Sequence, residues 1–134
     1  MTSNVSHQET ELLILSHLKF LISNIKNLVP TLLTSENCAI WRLQLHQHFS
    51  ANGFGEHLTG CAICPPESGF TEHVRWKLID QNIVSALLST ISPSILPYVL
   101  NLKTAHDIWI TLERRLQPIN YSRVIQLKNK LHQI

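Results

Sequence analysis

The chain has 134 residues, 44% of them hydrophobic and only 15% charged, which suits one compact domain and excludes a disordered tail. Charged residues make up roughly 25% of an average globular chain, so the low share here leaves apolar surface for a partner, a second copy being the first candidate. A net charge of +2 is too weak to argue for nucleic-acid binding by itself, and three cysteines argue for reduced thiols in the cytoplasm, or alternatively the nucleus, rather than a disulfide framework.

Residues 1–8 read as a flexible polar start, followed by a single domain over 9–134. Ile14, Leu15, Leu18, Leu21, Ile22, Ile25 and Leu28 recur at helical spacing until Pro30 stops the pattern. Glu9 and Glu11 precede this helix and His17, Lys19, Asn24 and Lys26 interrupt it, so it is neither a signal peptide nor a membrane span. Leu12, Leu13 and Phe20 lie off its inner face and are candidates for partner contact. Val29 to Leu33 read as an extended connector or short edge strand. Ser35 or Asn37 is suited to cap the next helix, which presents Ile40, Trp41, Leu45 and Phe49 inward. From Asn52 to Gly69 the glycines and prolines predict an irregular loop.

Thr71 is placed to cap a third helix whose inner face is Val74, Leu78, Ile79, Ile83, Ala86, Leu87 and Ile91. Ser92-Pro93 predicts a short fourth helix. Thr104 and Asp107 resemble a capping box opening a fifth, which buries Ala105, Ile108, Trp109, Leu112 and Leu116 before Pro118. A last helix from about Asn120 presents Val124, Leu127 and Leu131. The fold class expected is all-α, a bundle of five to six helices, with room for a short extended or β-hairpin element near residues 29–33 and 58–64.

No residue pattern points to catalysis. Cys61-x-x-Cys64 with His57 and the nearby His46 and His48 forms the sharpest chemical suspicion, a zinc site. The weaker side of that reading is that His-x-His on a helix points its rings about 200° apart, and that Cys64 runs into Pro65-Pro66, a place for packing rather than redox chemistry. There is no Gly-x-Ser-x-Gly turn and no phosphate loop. Glu67, Glu72 and Asp80 read as acids at a helix start or on a solvated face. Trp41 and Trp109 sit on apolar stripes and read as core anchors with Asn37 and Leu112, whereas Trp76, between Arg75 and Lys77, is a candidate for surface contact, with partial burial the favoured reading. Arg114, Arg115, Arg123, Lys128 and Lys130 make the carboxyl-terminal third basic and are the nucleic-acid candidates, a solvated helix face being the equal alternative.

Leu33, Thr34, Asn37, Trp41 and Arg42 resemble the Leu-Thr-x-x-Asn-Tyr-x-x-Trp-Arg opening of the Gag polyprotein of plant copia-type LTR retrotransposons, with Cys38 at the tyrosine. Gly60 and Cys64-Pro65-Pro66 are similar to the end of that family's Asp-Gly-x-x-x-Cys-Pro loop, with Thr59 at the aspartate. Trp76, Asp80, Gln81 and the following SALLSTIS match its next stretch. Thr104, Ala105, Trp109, Leu112 and Glu113 match its Thr-Ala-x-x-x-Trp-x-x-Leu-Glu, and Arg123, Leu127 and Leu131 fit its Ser-Arg-x-x-x-Leu-x-x-x-Leu segment.

The resemblance covers about residues 24–134. It implies an amino-terminal capsid-like module that self-assembles and packages RNA, without cofactor, small-molecule substrate or membrane, and with the second capsid subdomain absent. There is no zinc knuckle, protease triplet, integrase or polymerase, and the Cys38 and Thr59 departures suggest a drifted or host-retained copy. The expected function is therefore non-enzymatic self-association through apolar patches on the first, fourth and last helices. RNA binding by the basic end is the alternative.

Overall fold

The computed structural model describes residues 2–116. Within them α1 spans Thr2–Leu28, α2 Cys38–Ala51, α3 Gly55–Thr59 and α4 Phe70–Ser89. A 3₁₀ turn covers Leu96–Tyr98 and α5 covers 105–116. The protein is an all-α bundle, and no helix among the described residues is long and apolar enough to cross a membrane.

Directions follow from a few contacts. The starts of α1 and α4 meet through Glu11 and Arg75, and the chain just beyond each helix pairs in a parallel bridge between Leu33 and Ile91. These two helices therefore run side by side in the same sense. α2 runs against them, because Trp41 at its start reaches Thr90 past the end of α4 and Asn52 past its own end reaches His17 of α1. α5 lies antiparallel to α2, with His106 beside Leu58, Trp109 beside Arg42 and Glu113 next to Arg42 in turn.

The core is built from helical rows. Leu18, Leu21, Ile25 and Val29 line one face of α1, and Cys38, Trp41, Leu45 and Phe49 line α2 at the same three-four spacing. Ile79, Ile83, Ala86 and Leu87 supply α4, and Ala105, Ile108, Leu112 and Leu116 supply α5. Thr104 caps α5 as expected: its hydroxyl accepts the Asp107 amide at 3.1 Å.

Several expectations change. α1 begins at Thr2, so the opening expected to be loose is helical; its first turns hold no Gly or Pro that would stop a helix. The extended element near 29–33 reduces to the single Leu33 bridge, flanked by Leu33 N–H to Thr90 O and Ser92 N–H to Leu33 O. Residues 58–64 form no hairpin, because Leu58 and Thr59 end the short helix α3 inside what reads as a loop.

Ile40, Val74 and Leu78 point outward, as Leu15 largely does. The packing partners select the row that is buried, and on α4 that row is shifted to take in Asp80 and Val84 instead. Neither Asn37 nor Thr71 caps a helix with its side chain; Asn37 instead accepts the Thr34 amide at 2.7 Å and donates to Leu32 O at 2.8 Å, bracing the bend before α2. Ser92-Pro93 opens a turn and the 3₁₀ segment rather than an α-helix, the Ser92 carbonyl accepting from Ile95 and Leu96. The last helix expected from Asn120 lies outside the described residues.

Candidate functional site

Among the described residues the interior holds two polar assemblies that link helices. In the first, Trp41, only 1% exposed, packs on Trp109 with ring centroids 5.8 Å apart and donates its Nε1–H to the Thr90 hydroxyl at 3.2 Å. Arg42 lies with its guanidinium carbon 3.9 Å from the centroid of the Trp109 ring and donates to the Trp109 carbonyl at 2.9 Å. Its second terminal nitrogen reaches Glu113 at 3.5 Å. Burial pushes the Cys38 thiol above its ordinary range, with Arg42 pulling it back and Glu113 pushing it further up. Burial likewise lowers the Arg42 guanidinium, which Glu113 and then Cys38 offset. Leu112 of α5 is 1% exposed within the same hydrophobic core.

In the second, Asp80 is 1% exposed in the middle of an apolar helix face. One carboxylate oxygen takes a hydrogen bond from His57 Nδ1 at 3.0 Å and the other takes the Ala105 amide at 3.2 Å, where α5 begins. Trp76 stacks on His57 at 5.1 Å and donates its indole N–H to Ala62 O at 3.1 Å. One aspartate thus ties α3, α4 and α5 together. The expectation that Asp80 lies on a solvated face is overturned, since an acid with both oxygens bonded is tolerated in a core. Its place beside Ile79 and Ile83 was the signal available in the sequence. Trp76, a candidate for surface contact with partial burial the favoured reading, is half-buried and held by this assembly.

Among the described residues the cysteine loop does not gather a set of metal ligands. Cys61 is exposed, while the Cys64 thiol and His73 Nδ1 both point at the Pro65 carbonyl, at 3.5 and 2.7 Å. With His57 engaged by Asp80, the residues proposed for zinc do not converge, and no group of three or more potential ligands stands together among the described residues. Gly60 has φ +89°, and a Cβ there would sit 2.7 Å from the His106 ring, whose Nδ1 donates to Leu58 O at 2.8 Å. The turn therefore requires glycine for two separate reasons. Arg114 and Arg115 are exposed, Arg115 lying 4.6 Å over Tyr98; Arg123, Lys128 and Lys130 lie outside the described residues.

The remaining feature is a surface. Between residues 8 and 17 of α1 only Ile14 is even partly buried, and Leu12, Leu13 and Leu15 stand open to solvent. Leu13 is 59% exposed and Phe20 53%. Beside Leu13 lies a groove of about 410 Å³ bounded by His17, Asn52, Phe54, His57 and Ile79.

The sequence is similar to the retrovirus-related Pol polyprotein from transposon RE1 of Arabidopsis thaliana, at 34% identity over 131 residues covering 92% of this chain. It is 33% identical over 126 residues to the corresponding polyprotein from transposon RE2 of the same plant, over 88% of this chain. These similarities support a retrotransposon origin. The chain spans only 9% and 8% of the lengths of those two relatives. No family model matches it, and no solved structure matches it significantly.

Proposed function

We propose that this retrotransposon-derived chain is a copia-type, Gag-like capsid module that works by self-association and not by catalysis. The observation that carries the reading is α1, whose outer face leaves Leu12, Leu13 and Leu15 exposed, with Phe20 open beyond them. A single helix that is apolar on several sides and packed on one is stable and soluble when a partner covers the rest. The buried polar groups support a scaffold: both Asp80 oxygens are bonded and Arg42 is enclosed, leaving neither placed to act on a substrate. Size-exclusion chromatography with light scattering tests the proposal. A mass that grows with protein concentration in the absence of RNA is expected, and a monomer at all concentrations, with or without RNA, removes it.

RNA binding is the second reading, favoured by the adjacent exposed side chains of Arg114 and Arg115. It predicts affinity that falls steeply between about 50 and 200 mM salt and weakens in Arg114→Ala plus Arg115→Ala. Equal binding by the variant removes that role for the two arginines.

A further inference from the structure

Resting on the self-association reading above, we propose that a second copy of this chain covers α1 by packing its own α1 against it in the antiparallel sense, Leu13 of each copy facing Phe20 of the other. The helix is polarised along its length: Glu9 and Glu11 lie in its first half, Lys19 and Lys26 in its second. Parallel pairing sets acid against acid and base against base, whereas antiparallel pairing sets each acidic half against a basic one and also opposes the two helix dipoles. A two-fold interface requires this kind of self-complementarity, because residue i meets residue j and j meets i.

The outer face has the spacing such a pair needs. Leu13, Ser16 and Phe20 follow at intervals of three and four, the seam along which helices interdigitate. All three are exposed. Leu13 and Phe20 are about 10 Å apart along the axis, so an axis crossing near Ser16 brings each Leu13 opposite the other copy's Phe20. Ser16 is small, and its place at the crossing lets the backbones approach. The groove of about 410 Å³ beside Leu13 is open to receive the incoming phenyl ring. In the same register Glu9 comes within reach of the second copy's Lys26, and neither forms an ion pair among the described residues. Glu11 is already engaged by Arg75 at 3.7 Å, so Glu9 is the cleaner probe.

The test is cysteine cross-linking of the full chain in a Cys61→Ser, Cys64→Ser background, with copper–phenanthroline as oxidant. Ser16→Cys is expected to give a disulfide-linked dimer, and Gln47→Cys, exposed on α2, is expected to stay monomeric under the same conditions. Charge reversal gives an independent readout: Glu9→Lys or Lys26→Glu alone raises the dimer dissociation constant roughly tenfold, and the two together restore it. If light scattering still shows a dimer but Ser16→Cys links no faster than Gln47→Cys and the double reversal fails to restore affinity, the antiparallel contact is overturned while self-association stands. A monomer throughout overturns both.

Discussion

Two regions of the bundle are stabilised in opposite ways. Where α2, α4 and α5 meet, Trp41, Leu45, Ile83, Ile108 and Trp109 are buried and the buried polar groups have partners: Trp41 on Thr90, Arg42 on both Trp109 and Glu113, Asp80 on His57 and Ala105. Among the described residues no buried side-chain nitrogen or oxygen lacks a hydrogen bond. The first half of α1 has almost none of this. Between residues 8 and 17, Glu11 pairs with Arg75 at 3.7 Å, His17 lies 3.4 Å from Asn52 and Ile14 packs partly on the core, while Leu12, Leu13 and Leu15 face water. Buried contacts are concentrated in the first region, and the second presents exposed apolar side chains that the proposed self-association would cover.

Substitutions separate the regions by size of effect. Trp41→Ala removes a fully buried indole together with its contacts to Trp109 and Thr90, and should lower unfolding stability by about 3–5 kcal/mol in a denaturant titration. Asp80→Ala strands His57 and the Ala105 amide in the core and should cost about 3 kcal/mol, with Asp80→Asn losing less because it still offers one acceptor. Gly60→Ala should cost about 1–3 kcal/mol, since the residue must hold positive φ and displace the His106 ring; a neutral result would mean the ring moves aside freely. Leu13→Ser with Phe20→Ser should change stability by less than about 0.5 kcal/mol while reducing assembly. A loss as large as that of Trp41→Ala would erase the distinction between the regions.

The smallest expected effect is one of pH. The folded state holds the Cys38 proton more tightly than the unfolded chain does, because burial raises the thiol. Its contribution to stability is therefore fully present below the ordinary thiol value of about 8.5 and declines as pH rises above it. Cys38→Ala should flatten the alkaline side of the stability profile relative to the parent chain, and parallel profiles would assign that slope to another group.

How much of this was legible beforehand depends on what the residues have to agree with. Most of each apolar row on α1, α2 and α5, the Thr104 cap of α5 and the burial of Trp41 and Trp109 follow from local spacing and are present in the structure, Leu15 and Ile40 being the members that turn outward. The register of α4 does not: Val74 and Leu78 continue an apolar pattern as well as Val84 does, and only the position of α1 and α5 decides which is covered. Asp80 shows the same limit from the polar side, since an acid reads as solvated until His57, contributed by a five-residue helix 23 positions earlier in the chain, is brought to it. α3 was hidden because Gly55 and Gly60, breakers in the sequence, sit at its two ends. On α1, Leu13 and Phe20 were marked by lying off the main stripe, which is a local property and visible without the fold.

The most direct measurement is the solution mass of the wild-type chain and of the Leu13→Ser, Phe20→Ser variant at matched concentrations, by light scattering, with circular dichroism to compare their helix content. The account predicts a wild-type mass above the 15.3 kDa of one chain and a variant that is monomeric with unchanged helix content. A wild-type chain that is already monomeric, or a variant that assembles as fully as the wild type, would contradict it.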